Sequence, residues 1–242
     1  MITRTASSPF GTQIATRSEE PANVKQFQAL TGRLLFITRM WRPDIRYAVQ
    51  RLCIKTKMPT QQDWLNALRI VSYPFGTRTE GILLGAEADQ PVDIFTDAGE
   101  EKLDERATSG ILTRLGWSPV SWAARKQDVT TLSSTKAEYI ALSMGVQDGL
   151  WVQKILGFLG EVRTPRIWTD NKGASTLTEN PNFHRRTKHI WRRHHFIREC
   201  VGDESVIVGW VPGSENPADV LTKVVTGTRI DELKIGLGMA RV

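Results

Sequence analysis

Val92-Asp-Ile-Phe-Thr96, Gly110-Ile-Leu-Thr-Arg114 and Val120-Ser-Trp-Ala123 are short runs of β-branched and aromatic residues separated by turn-forming or polar segments. They predict three successive strands. Residues 134–158 read as one long helix, with Ala137, Ile140, Ala141, Met144, Leu150, Trp151, Ile155 and Leu156 on its apolar face and Gly160 ending it. Arg166-Ile-Trp-Thr169 predicts a fourth strand. Helices follow from Asn171 and from Thr187 to Cys200, then a fifth strand from Ser205 to Val211 and a final helix after Asn216-Pro217. This order predicts an α/β domain in which helices flank a mixed five-stranded sheet.

Upstream, Phe27, Leu30, Leu34, Leu35 and Ile37, and then Ile45, Ala48, Val49 and Leu52, recur at helical spacing around the break Arg42-Pro-Asp44. A third amphipathic stretch after Pro59 is expected to stop at Pro74 and Gly76. Residues 1–23 are polar and aperiodic. The expected organisation is a flexible leader over 1–23, a mainly helical segment over 24–88 and the α/β domain over 89–242.

The chain has 242 residues, of which 40% are hydrophobic and 24% charged, an ordinary globular composition that excludes collagen-like, coiled-coil and wholly disordered chains. Apolar runs such as Val206-Ile-Val208 are far shorter than the ~20 residues that cross a bilayer. No secretory h-region precedes Pro21, so the expected location is intracellular, in cytoplasm or nucleus, with no membrane partner. Cys53 and Cys200 match no metal or redox spacing and read as free thiols. Against 26 Asp and Glu stand 32 Lys and Arg, a net charge of +6.

Four acids fall at the ends of predicted elements. Asp97 closes the first strand and Asp170 the fourth, while Glu138 and Asp219 lie in the first turns of the long and last helices. Each has a structural explanation of its own. Thr135 with Glu138 forms a capping-box pattern, Asp170 suits a helix N-cap, Asp219 follows Pro217 at a helix start, and Asp97 suits a turn. Together they suggest a different chemistry. Phosphodiester hydrolysis is served by two Mg²⁺ ions ~3.5–4 Å apart that activate water and hold the leaving oxygen. Such hard ions take carboxylate oxygens and keep several waters, so three or four acids suffice.

The same residues carry a family pattern. Ile94-Phe-Thr-Asp-Ala98, Ser121-Trp-Ala-Ala-Arg-Lys-Gln127, Leu132-Ser-Ser-Thr-Lys-Ala-Glu-Tyr-Ile-Ala141, Thr169-Asp-Asn171, Arg186-Thr-Lys-His-Ile190 and Ala218-Asp-Val-Leu-Thr-Lys223 resemble, in order and spacing, the ribonuclease H domain of copia-type LTR retrotransposon Pol polyproteins. Leu30-Thr-Gly-Arg-Leu-Leu-Phe36 and Arg42-Pro-Asp-Ile-Arg46 resemble the connection segment that precedes it there. The resemblance implies a ribonuclease H-like fold and an enzyme that cuts the RNA strand of RNA:DNA hybrids, leaving a 3′ hydroxyl and a 5′ phosphate. It implies Asp97, Glu138, Asp170 and Asp219 as the catalytic, metal-binding acids, with two Mg²⁺ ions for which Mn²⁺ substitutes. It also implies a nuclease without its polymerase, protease or integrase, with a reverse transcriptase polymerase as partner in trans or from a longer polyprotein.

Three departures stand out against that family. Asp97-Ala-Gly-Glu100 replaces the usual Asp-Ala-Asp-Trp, Lys136 stands where an acid is common, and Val211–Pro217 lacks the histidine that cellular and retroviral enzymes place before the last acid. None removes one of the four acids. From Phe183 to Arg198 the cations Arg185, Arg186, Lys188, Arg192, Arg193 and Arg198 occur without an acid, and are expected to meet nucleic-acid backbone. The histidines of this stretch, His184, His189, His194 and His195, lack the spacing of a metal pair on one helix face. An integrase-like alternative would join Asp97 and Asp170 to Glu204. The other alternative is a transposon-derived remnant, with a host role or none, that binds nucleic acid and cuts poorly or not at all.

Overall fold

A computed structural model describes residues 6–10, 19–85, 89–99, 106–131, 133–179 and 188–241. Along the chain run α1 (Val24–Met40), α2 (Arg46–Ile54), α3 (Gln61–Gly76), β1 (Glu80–Ile82), β2 (Val92–Gly99), β3 (Thr108–Leu115), β4 (Ser118–Lys126), α4 (Ser134–Phe158), β5 (Arg166–Thr169), α5 (Lys172–Glu179), α6 (Lys188–Gly202), β6 (Ile207–Trp210), α7 (Thr228–Gly236) and β7 (Met239–Arg241). They form two compact units, one of Met1–Ile82 with Lys223–Val242 and one of Leu83–Thr222. Among the described residues no helix is long and apolar enough to cross a membrane. Cys53 and Cys200 are both free thiols.

In the first unit, local signals set the helices. The Asn23 side chain accepts from the Gln26 amide to start α1. Thr60 and Asp63 form a reciprocal capping box at α3. α3 passes through Pro74 and ends at Gly76, within the expected stop, and Thr77 caps the Tyr73 carbonyl with its amide and its hydroxyl. Residues 6–10 are also not a loose leader, because Ser8 is buried and the Phe10 ring lies 5.7 Å from that of Tyr47.

A buried polar network links the parts of this unit. Arg42 donates two hydrogen bonds to Asp44, at 2.9 and 2.7 Å, and reaches the hydroxyl of Thr77 at 2.7 Å. The Tyr73 ring has the Arg42 guanidinium and the Lys234 ammonium each 5.3 Å from its centroid. Lys234 pairs with Glu80 at 2.7 Å, and β7 pairs antiparallel with β1. Residues 223–242, expected in the α/β domain, therefore fold with the helical segment. Three-residue strands carry too little alternation to be read from sequence.

The second unit is the mixed five-stranded sheet, in the order β4-β3-β2-β5-β6. β2–β3 and β3–β4 are antiparallel, and β5 runs parallel to both β2 and β6. This is the sheet with flanking helices expected of a ribonuclease H-like domain. Val92, Ile94, Ile111 and Ile167 pack with Tyr139, Leu142 and Val146 of α4 and Ile197 of α6 in one buried cluster. α4 approaches closely because Gly145 and Gly149 face Ile94 and Ile167 without side chains of their own. One expectation fails at the end of the unit. The segment after Asn216 is a short 3-10 helix, Pro217–Leu221, and the next α-helix begins only at Thr228.

Candidate metal centre

The neighbouring elements place three of the four acids together. Asp97 lies within β2, opposite Gly110 of β3, and is fully buried, so it begins no turn. Glu138 is buried in the second turn of α4. The expected capping box is absent, since Ser133 rather than Thr135 caps this helix by accepting from the Lys136 amide. Asp170 follows the last residue of β5, half-buried. Its expected capping role belongs to Asn171, whose Oδ1 accepts from the Ala174 amide at 2.9 Å. The carboxylates of Asp97, Glu138 and Asp170 each offer an oxygen within 4.8 Å of the others.

Asp219 is not one of that trio. It lies on the Pro217–Leu221 turn, half-buried, and is tied to the trio through its neighbours. Thr222 Oγ1 donates to Asp97 Oδ2 and lies 3.2 Å from the Asp219 carbonyl. Asn216, wholly buried, donates from Nδ2 to the Thr96 carbonyl at 2.9 Å and accepts from the Ala218 amide at 3.1 Å. Gly99 and Gly110 lie where a Cβ would collide with Thr222. Sequence reasoning missed Asn216 and Thr222. The one available signal was their place on either side of Asp219 in Asn216–Thr222.

Asn216→Ala is expected to lower stability by about 2 kcal/mol, through the lost turn cap and a buried carbonyl left without its donor. Urea unfolding measures this. Asn216→Asp, which keeps the acceptor and loses the donor, should be destabilised too, and also adds a carboxylate near the acids.

The donor set suits a hard divalent cation. Three carboxylates this close, two of them buried, repel one another, and a bound Mg²⁺ or Mn²⁺ would offset that repulsion. Asp97 on β2, Glu138 on α4 and Asp170 in the turn between β5 and α5 would hold it. Gly213 leaves room beside the third, since a Cβ there would sit 3.1 Å from Asp170 Oδ2.

The expected backbone-contacting cations divide. Arg185 and Arg186 lie outside the described residues, and Lys188 opens α6. Arg192 is exposed. Arg193 donates to Ser143 Oγ on α4 at 2.7 Å, a contact that fastens α6 to α4. Arg198 is half-buried and faces Tyr139, whose phenol burial pushes up while the guanidinium pulls it down. His194 is buried and stacks on the Tyr139 ring at 5.7 Å, which makes it a packing residue. Glu204 is exposed in the turn before β6 and is not part of the acid trio.

No family model matches the chain. It is 35% identical over 221 residues to the retrovirus-related Pol polyprotein from transposon RE1 of Arabidopsis thaliana, covering 90% of this chain and 15% of that protein. To the corresponding polyprotein from transposon TNT 1-94 of Nicotiana tabacum it is 33% identical over 229 residues, covering 93% and 17%. The chain thus spans less than a fifth of the length of these relatives. Among solved structures, LC11-RNase H1 in complex with an RNA/DNA hybrid is similar over 54% of this chain and 93% of that one, at 15% identity and a TM-score of 0.43. With about a third of its residues identical over nine-tenths of its length, the chain is homologous to a segment of the retrovirus-related Pol polyproteins of transposons.

Proposed function

We propose that the 83–222 unit is a ribonuclease H that cuts the RNA strand of RNA:DNA hybrids, as part of reverse transcription by a copia-type element. The observation that carries this reading is the carboxylate trio, Asp97, Glu138 and Asp170, within 4.8 Å at one end of the sheet. Its supports are the motif order of the chain and its homology to a segment of transposon Pol polyproteins. Two Mg²⁺ ions bound there would supply an activated water and stabilise the leaving 3′ oxygen. The trio would hold them, and Asp219, brought alongside by Thr222, would complete the second ion's site. Thr222 fixes the Asp97 carboxylate by donating to it, so that its other oxygen keeps a constant aim.

In this reading residues 24–88 are the connection-like segment, and the polymerase acts from a longer polyprotein or in trans. Arg192, which is exposed, is open to substrate backbone. The site of action is intracellular, in cytoplasm or nucleus.

The test is cleavage of an end-labelled RNA:DNA hybrid in Mg²⁺ or Mn²⁺, with single-stranded RNA and Asp97→Asn as controls. Metal-dependent cutting confined to the hybrid's RNA, and lost in the variant, is the expected result. A folded protein that binds hybrid but leaves its RNA intact in both metals would overturn it in favour of a binding remnant.

A further inference from the structure

Beside the trio stands a second feature that none of the four acids explains. Trp210, the last residue of β6, lies opposite Thr169 in register and donates its indole N–H to the Asp170 carbonyl at 3.0 Å. The residue is 41% exposed although it ends a strand of the main sheet. The Lys172 ammonium sits 4.5 Å from the centre of that ring.

Lys172 is the second residue after Asp170, so the two Cα atoms lie within about 7 Å. A flexible, exposed ammonium at that distance from clustered carboxylates would ordinarily turn toward them. Among the described residues Lys172 forms no ion pair, and the indole face holds it instead. A positive charge therefore stays at the rim of the acid cluster. An ammonium has three donors, and lying over a ring leaves part of it open to solvent.

A polyanion approaching three carboxylates is repelled unless a cation close by offsets them. Resting on the reading of the substrate as an RNA:DNA hybrid, we propose that Lys172, seated on the Trp210 indole, contacts a backbone phosphate of the bound hybrid next to the acid trio. Trp210 is then a positioning residue, tied by its N–H to the strand end that carries Asp170. The contact reads charge and carries no base information.

The experiment is equilibrium binding of a labelled RNA:DNA hybrid to the full chain without divalent ions, over a range of monovalent salt. Thermal unfolding of each variant accompanies it, and cleavage is assayed separately with metal. Loss of one phosphate contact in Lys172→Ala should reduce the slope of log affinity against log salt by about 0.9, and weaken binding roughly tenfold near 0.1 M salt. Lys172→Arg, which keeps the charge, should retain the slope. Trp210→Phe keeps a ring under the ammonium and should also retain it. A Lys172→Ala protein with the wild-type slope and affinity would overturn the proposal. Wild-type protein that binds but never cuts would sink the nuclease reading, while the slope still decides the role of Lys172. Wild-type protein that binds no hybrid in this assay but cuts it with metal would overturn the proposal alone, and protein that neither binds nor cuts would overturn both.

Discussion

Asp97→Asn is expected to lower hybrid cleavage by at least about a thousandfold, equivalent to ~4 kcal/mol of transition-state stabilisation, without unfolding the protein. Asp97 is the buried member of the trio that sits inside a strand, so no other carboxylate can move into its place. An asparagine has nearly the same shape and still offers Oδ1 to the Thr222 hydroxyl that now meets Asp97 Oδ2. What disappears is one negative charge of three. In the metal-free protein that removal relieves repulsion, and two unit charges 4 Å apart interact by ~4 kcal/mol at an effective dielectric of about 20. The variant should therefore unfold at the same or a higher temperature than the parent without Mg²⁺, and gain less when Mg²⁺ is added. Single-turnover cleavage and paired unfolding scans check both signs. Activity within tenfold of the parent would remove Asp97 from the metal site.

Gly145→Val should cost about 3 kcal/mol or more and reduce cleavage in whatever fraction remains folded. A Cβ at Gly145 would collide with the Thr96 methyl and lie 3.3 Å from Ile167 Cγ2 and 3.4 Å from Ile94 Cγ2. Thr96 cannot turn its methyl away cheaply, because its hydroxyl donates to the Trp168 carbonyl at 3.0 Å. The helix must lift instead. α4 carries Glu138 two turns earlier, and Thr96 precedes Asp97, so lifting the helix separates two of the three carboxylates. A Cβ at Gly157 in the same helix would meet nothing within 4 Å, and Gly157→Ala should be neutral or add about 0.5–1 kcal/mol. Urea unfolding of both variants separates close packing from a general effect of filling glycines in this helix.

The elements that were readable are those whose residues answer to one strong requirement. β2, β3, β4 and α4 bury a sheet face against a helix, and their apolar positions repeat at two and 3.6 residues. The caps were harder. Ser133, Ser134 and Thr135 offer three adjacent hydroxyls, and the choice of Ser133 depends on where α4 begins to pack. Asp170 and Asn171 are likewise both good caps, and the start of α5 at Lys172 decides between them. That the acids stand at element ends is visible in the sequence. That three carboxylates meet within 4.8 Å while the fourth stands on a 3-10 turn depends on strand register and on Asn216 and Thr222, whose partners lie more than a hundred residues away. Arg193 shows the converse difficulty, since a cation in a basic run looks the same whether it meets phosphate or Ser143.

The pairing of β1 with β7 also sets a timetable for synthesis. All of residues 83–222 emerge from the ribosome after Glu80–Ile82 and before Met239–Arg241. At about 5–20 residues per second that interval is on the order of ten seconds. The sheet unit has every strand it needs before the helical unit receives its last one. Throughout the wait β1 has an open edge and Glu80 lacks Lys234, so the nascent helical unit is the part that most needs a chaperone.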